Sequence, residues 1–580
     1  MDRKDEFYGL LAHHFDQAGE SAKAIDYSIK AGDTARERDA FEEAIQDYRR
    51  AIELLGQEGD AERASKTWLK LGLIHQVNFR FEQAHQANET AFALQRQVHA
   101  SQRRAPIHPG SSPASQTLRC CYHGLPVAML DPSRITFTQD FWISSHLFSG
   151  LAKLDAEANI VPHAARSWEV LDGGTRYVFH LRDDVRWTDG TDVTAHDFEW
   201  SLKRYLAPAS DSPMANVTDD IVGARDYREG RIPDPSRVGV RALDPLTLEV
   251  RLSGPVAYFI YLAAMPPFWP VPRRAVEKYG NEWWQPANII TNGPFELEEF
   301  EDTRGILRRS PGYFGDFSGN LDRVEWSAAD SEAASIREYL IGNADYMPGA
   351  GAQHVPAEVG ADEIFEPQFL FSSGLVLVPE RPPLDDVRFR RAIAHAIDRK
   401  ALSRDYSPRD PSDHGGLLPP GLAGHSPELG LEFDPVRARQ LLAQAGYPDG
   451  QEPRPLKLYY PASYPAALLD DIERQLMDHL GIHTVSAETP PGTVWWTIPD
   501  SDINLGGWVV DYPDPDNVLR QSHFYLIPQR RGWHHARLER LLEEAARTVD
   551  RPRRLAMYRE ADRILVNDEV MAVPLTYSMR

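Results

Sequence analysis

Residues able to do chemistry are present in this chain, but few stand at spacings that chemistry uses. Its two cysteines are adjacent, Cys120 and Cys121, and a vicinal pair matches neither a zinc-ligand spacing nor a CxxC redox motif. They read as buried strand thiols, since a lipid-carrying cysteine would need an apolar signal ahead of it. Histidines pair at His13–His14 and His534–His535. Adjacent side chains point to opposite faces of a strand and about 100° apart on a helix, so a shared metal ion is not expected. Neither HExxH nor GxSxG occurs, and the glycine-rich pieces GGTR and GHSPELG lack the GxxxxGK[ST] that cradles nucleotide phosphates. The pairs Trp283–Trp284 and Trp495–Trp496 could line a pocket, core packing being the simpler use. With no catalytic constellation, the expectation is a protein that is not an enzyme and holds neither metal nor cofactor.

The elements that would position any site come from 580 residues, which at roughly 150 residues per domain suggests about four domains or lobes. Hydrophobic residues make up 42% and aromatic residues 10%, enough for large buried cores and incompatible with a mainly disordered chain. A formal net charge of −23 argues against nucleic acid as a partner, because phosphate-backbone binding needs a positive surface. The most apolar stretch, residues 254–272, contains Pro255, Pro266, Pro267, Pro270 and Pro272. A lipid-facing helix tolerates these poorly, so the stretch reads as core plus a proline-rich connection, and the chain as not membrane-spanning.

Two textures divide the chain. Residues 1–99 lack proline and repeat apolar residues at three- and four-residue spacing, which predicts helices. Alanines stand seven residues apart at Ala24 and Ala31, Ala44 and Ala51 (with Tyr48 between), and Ala84 and Ala91 (with Asn88 between). Small residues at that spacing let antiparallel helices approach closely. Residues 100–118 lose all periodicity and read as a flexible linker rich in Pro, Ser and Gly. From Leu118 short strands mix with helices. RYVFHLRDDVRW (176–187) alternates like a strand, and Thr194 with Asp197 approximates a capping box for the helix that follows. VRALDPLTLEVRLSG (240–254) reads as two strands about an Asp244-Pro245 turn, and Asp385 to Ala401 and Asp434 to Ala445 are helical by period.

These residues carry a resemblance. The stretch from Leu130 (LDPSRITFTQDF…LFSGL…SLKR) is similar to the start of the family 5 extracellular solute-binding proteins, the oligopeptide- and dipeptide-binding components of ABC importers. Further matching blocks follow in the family's order: TNGPFELEEF (291–300), SPGYFGDFSGNLDRVEW (310–326), PPLDDVRFRRAIAHAIDRKAL (382–402), GLLPPGLAGHSP (416–427), DPVRARQLLAQAGYPDG (434–450) and GGWVVDYPDPDNVL (506–519), closing on VPLTY. The resemblance implies a bilobed α/β clamshell over 119–580, with a first lobe of about 119–368 and 500–580 and a second of about 369–499. It implies a short peptide or similar small solute as ligand and an ABC permease as partner. It also implies ligand contacts at Thr136, Phe137 and Thr138, and at Gly507, Trp508, Val509 and Asp511. In peptide-binding relatives the carboxylate matching Asp511 pairs with the ligand's α-ammonium. A buried carboxylate is costly unless a cation joins it, so it selects for an amine, and strand-like pairing to the ligand backbone adds affinity without demanding particular side chains.

The helical region, 1–99, resembles tetratricopeptide repeats, Ala44, Tyr48 and Ala51 being the best match, although the units are unevenly spaced. Such arrays bind partner proteins, so a protein partner of the repeats is a further expectation. The family carries an export signal where this chain begins MDRKDEFYGLLAHHFDQAGE, without an apolar segment. Two readings follow. One is an importer's receptor outside the membrane. The other is a cytoplasmic sensor in which the solute-binding region acts through the repeats.

Overall fold

The computed structural model describes residues 7–102, 116–123, 127, 129–135, 138–210, 212–315, 319–348, 355–356, 359–360, 363–364, 370–406, 415–448, 454–461, 464–490, 493 and 498–578. They fall into two compact units, Met1–Tyr122, Val127–Ala328 and Ile341–Pro348 in the first and His123–Pro126, Ala329–Leu340 and Gly349–Arg580 in the second.

In the first unit the proline-free segment forms α1 (Tyr8–Gln17), α2 (Ser21–Glu37), α3 (Phe41–Glu58), α4 (Ala61–Val77) and α5 (Phe81–Gln102). All six alanines of the seven-residue pattern are buried, along with Tyr48 and Asn88. Small residues are required where helices touch: a Cβ on Gly32 would come within 2.5 Å of the Tyr48 ring, and one on Gly72 within 2.2 Å of the Asn88 amide. Asp33 ties three helices together, accepting from Tyr48 Oη at 2.5 Å and from Lys70 Nζ at 2.8 Å.

The rest of this unit holds β1 (Gln116–His123), β2 (Ala152–Leu154), β3 (Ile160–Pro162), β4 (Ala165–Leu171), β5 (Arg176–Leu181), β6 (Val240–Asp244), β7 (Thr247–Arg251), β8 (Phe295–Glu301), β9 (Arg304–Arg309) and β10 (Leu321–Ala329). Strands pair in the orders β4-β5-β7-β6, β1-β10-β9-β8 and β2-β3. The expected capping box forms, Thr194 N donating to Asp197 Oδ2 at 2.8 Å at the start of the helix Ala195–Leu206. The expected hairpin turns between β6 and β7. Cys120 and Cys121 are buried in β1, and burial pushes the Cys120 thiol up to about 12. The Asp131 carboxylate of the LDP element is buried against Arg204, Ser133 and the Trp283 indole, whose N–H donates at 2.8 Å. Trp283 is therefore a core residue, while Trp495 and Trp496 lie outside the described residues.

The helices do not stand apart from this α/β part. Arg36 of α2 donates to Asn159 Oδ1 at 2.6 Å, and Gln76 of α4 donates to the Tyr177 hydroxyl of β5 at 3.3 Å. Phe92 of α5 meets Trp168 of β4 edge-on at 4.9 Å, and the Phe81 ring fills the space beside Gly174. Phe92→Leu keeps the bulk but removes the ring–ring contact. It should cost about 1–2 kcal/mol in urea unfolding and speed amide exchange in both α5 and β4. Faster exchange in α5 alone would show that the helices gain nothing from the sheet. Of the linker expected at 100–118, residues 103–115 lie outside the described residues, and its ends belong to α5 and β1.

The second unit is built on one sheet of β11 (Phe371–Leu377), β12 (Leu456–Tyr460), β13 (Thr484–Glu488), β14 (Ile503–Val509) and β15 (Ala572–Ser578), in the order β13-β12-β14-β11-β15. Alternate side chains serve two cores. Leu375, Leu377, Ile503 and Leu505 pack against the helices Val387–Ala396, Pro435–Gln444 and Ala466–Leu480. Leu370 and Val376 share the opposite core with Phe524, Leu542 and Tyr558. This sheet corrects the lobe boundaries expected from the sequence. Residues 500–580 do not join the first lobe: β14 and β15 flank β11 on its two edges, both antiparallel. The physical reason is that β11, buried along nearly its whole length, needs a hydrogen-bonded neighbour on each side. The expected helix from Asp385 to Ala401 is also divided, ending at Ala396 and restarting at Arg399.

Candidate functional site

Strand β14 ends in the turn Asp511-Tyr512-Pro513-Asp514, which feeds the short helix Pro515–Leu519. Asp514 caps that helix by accepting from Asp516 N at 3.0 Å, with Pro515 at its first position. The Asp514 carboxylate is also held by Arg554 Nη2, at 2.8 and 2.7 Å to its two oxygens. The turn is thereby fixed to the helix Arg551–Arg563.

Asp511 stands at the end of β14. Its Oδ2 accepts from Asn517 Nδ2 at 3.1 Å, and its backbone N–H donates to Asn517 Oδ1 at 3.1 Å. Burial raises the Asp511 carboxyl to about 6, opposed by the Asn517 hydrogen bond. Among the described residues no cation pairs with it. Trp508 donates its indole N–H to the same Asn517 Oδ1 at 2.7 Å and lies 5.9 Å from the ring of buried His523, which burial holds neutral at about 3.

The backbone of β14 completes the arrangement. Val510 N donates to Leu370 O at 2.9 Å, so in this antiparallel pair the even-numbered peptide groups face β11. Those of Leu505, Gly507 and Val509 face the other edge, where pairing with β12 stops at Asn504. Among the described residues no strand occupies the edge beyond. Gly507 is required there. A Cβ would fall 2.1 Å from the Phe371 ring and 2.8 Å from the Tyr464 hydroxyl, which itself has no hydrogen-bond partner among the described residues. The arrangement offers an unpaired carboxylate at the end of a strand edge that can still hydrogen-bond, which suits an extended ligand with a cationic end.

Gly507, Trp508, Val509 and Asp511 are thus brought together, with Val509 exposed. Thr138 begins the helix Thr138–Leu147 in the first unit and is exposed. Thr136 and Phe137 lie outside the described residues. Sequence reasoning missed Asn517, Phe371 and Tyr464. An asparagine six residues after an aspartate and just past a Pro-initiated turn is a signal that could have found the first. His535 caps the helix Ala536–Arg547 through Nδ1. No group of three or more His, Cys, Asp or Glu among the described residues is placed to share a metal ion, and no helix among them is long and apolar enough to cross a membrane.

Comparison with known proteins gives concordant matches. The family profile described as bacterial extracellular solute-binding proteins, family 5 Middle, matches residues 159–524. The periplasmic oligopeptide-binding protein OppA of Escherichia coli K12 is 30% identical over 482 residues, 78% of this chain and 86% of that protein. The probable deoxycholate-binding periplasmic protein YgiS of the same organism is 30% identical over 506 residues, 82% of this chain and 91% of that protein. Among solved structures, OppA of Burkholderia pseudomallei superposes with a TM-score of 0.72 at 26% identity, covering 80% of this chain and 94% of that one. The murein tripeptide binding protein MppA of Escherichia coli gives a TM-score of 0.72 at 25% identity, covering 81% and 94%.

Proposed function

This chain belongs to the family 5 bacterial extracellular solute-binding proteins, and from that premise we propose that it captures short peptides by their α-ammonium group, as the solute-binding component of an ABC-type importer. The observation that carries the reading is the Asp511 carboxylate, partly buried and, among the described residues, with no cation beside it, at the end of a strand whose outer peptide groups have no strand paired to them among those residues. The relatives are binding proteins by name, which supports binding without turnover. Among them the name of YgiS points instead to a steroid carboxylate. An anion brought to Asp511 meets a like charge in a poorly hydrated place, which disfavours it. The permease partner rests on the family, and service to a permease places the chain outside the membrane. Nothing among the described residues favours the alternative of a cytoplasmic sensor acting through the helices.

The test is thermal unfolding of the full chain with a panel of di- to pentapeptides, and separately with deoxycholate. A ligand at 100 times its Kd stabilises by about 2.7 kcal/mol, which raises Tm by a few degrees. A shift with deoxycholate and none with any peptide would overturn the peptide reading.

A further inference from the structure

We infer that Asn517 is the positioning residue for the ligand-binding carboxylate, its single amide fixing which oxygen of Asp511 faces the ligand and tying that choice to the Trp508 indole. The inference rests on the reading of Asp511 given above. Asn517 is fully buried, on the helix Pro515–Leu519. Its Oδ1 takes two donors, the Trp508 indole at 2.7 Å and the Asp511 backbone N–H at 3.1 Å. Its Nδ2 donates to Asp511 Oδ2 at 3.1 Å, and the Asn517 side chain also hydrogen-bonds Tyr512.

Only one orientation of the amide satisfies these partners. Turned over, Nδ2 would face two N–H donors and Oδ1 would face the Asp511 carboxylate, so the bonds to the indole, the backbone N–H and the carboxylate would all be lost. Other side chains fail for stated reasons. Aspartate would set a second carboxylate against Asp511, while alanine and leucine would leave an indole and a backbone N–H without their acceptor. With Oδ2 held, Oδ1 of Asp511 has no partner among the described residues and is the oxygen left for a ligand. The other ionisable groups around the turn are engaged elsewhere. Asp514 is paired with Arg554, Asp516 lies against Arg520 and the hydroxyls of Tyr512 and Tyr558, and the His523 imidazole is neutral. Among the described residues, Asn517 is thus the one side chain that sets the carboxylate's orientation.

The experiment uses the full chain with Asn517→Ala and, as a milder change, Asn517→Ser, whose hydroxyl can still accept one N–H. The first readout needs no ligand: the Trp508 indole N–H signal by ¹⁵N NMR from pH 4.5 to 8, identified by its loss in Trp508→Phe. In the wild type the signal should titrate with a midpoint near 6, following Asp511. Losing the Asn517 hydrogen bond should move the midpoint upward in Asn517→Ala and less in Asn517→Ser. The second readout is affinity for trialanine against N-acetyl-trialanine, whose ratio should fall at least tenfold in Asn517→Ala, with partial recovery in Asn517→Ser. An unmoved midpoint in folded Asn517→Ala overturns the inference. Equal affinities of the wild type for the two peptides would overturn the α-ammonium reading instead, and the indole titration would still decide the role of Asn517.

Discussion

Changing Asp511 to Asn is expected to weaken binding of a free-amine peptide at least a hundredfold while leaving the fold intact. The substitution keeps the shape, and its amide oxygen can still accept from Asn517 Nδ2. What disappears is the charge. A peptide ammonium drawn from water into this site would then lack its counter-ion, and a buried unpaired charge costs on the order of 3–5 kcal/mol, or about two to four decades in Kd. N-acetylation removes the same interaction from the ligand's side and should cost the wild type heavily. In Asp511→Asn the acetyl group should matter far less, because both changes delete one shared interaction and the cycle measures their coupling. Isothermal titration of the four combinations decides the matter. Equal losses from acetylation in both backgrounds would leave Asp511 as a turn residue. The pH dependence has a definite sign. With the carboxyl at about 6, wild-type affinity should hold above that pH and fall by up to tenfold per unit below it, as protonation removes the anion. The Asn protein should show no such slope. The ligand-free fold should move the other way, gaining stability as pH falls through about 6, because a raised carboxyl pKa means the folded state disfavours the ionised form.

How much of this was legible in the sequence depends on whether a feature is local. The Thr194–Asp197 box, the turn at Asp244-Pro245 and the seven-residue alanine spacing each depend on a few neighbouring side chains, and each forms as read. The mixed α/β class came from the texture of contiguous segments, whereas the cluster Gly507, Trp508, Val509 and Asp511 is what the resemblance of one contiguous block implies. What failed was long-range. The pairing of β11 with both β14 and β15 joins segments more than a hundred residues apart, and any apolar strand looks equally eligible until its neighbours are known. Arg36, Gln76 and Phe92 carry no local signal of a partner, yet each meets a side chain from the α/β part of the first unit. Asn517 was invisible for another reason. An amide is significant only through the donors and acceptors around it, and those come from the strand, the turn and the helix together.

Arg554 tests whether the site depends on a residue that only supports it. Its guanidinium is buried, bonded through Nη2 to both oxygens of Asp514 and through Nε to Ala545 O at 3.0 Å, and it lies 5.1 Å from the Tyr558 ring centre. Arg554→Met keeps most of the volume and leaves Asp514 as a buried carboxylate without a counter-ion, which should lower stability by about 3–5 kcal/mol in urea unfolding. The loss does not measure the worth of the ion pair, because much of it is the stranded charge. Adding Asp514→Asn to Arg554→Met should therefore recover a large part of the stability, since the carboxylate is then gone while an amide oxygen can still cap the helix through Asp516 N. If the double variant is as unstable as Arg554→Met alone, packing of the arginine stem and not the stranded charge is what was lost. Binding supplies the second half of the argument. Asp514 starts the helix that carries Asn517, so Arg554→Met should also weaken trialanine under conditions where the protein stays folded, and the double variant should restore affinity in step with stability. Stability recovered without affinity would mean that Arg554 shapes the turn through Asp514's charge itself, and the aspartate cap would then belong to the binding geometry as well as to the fold.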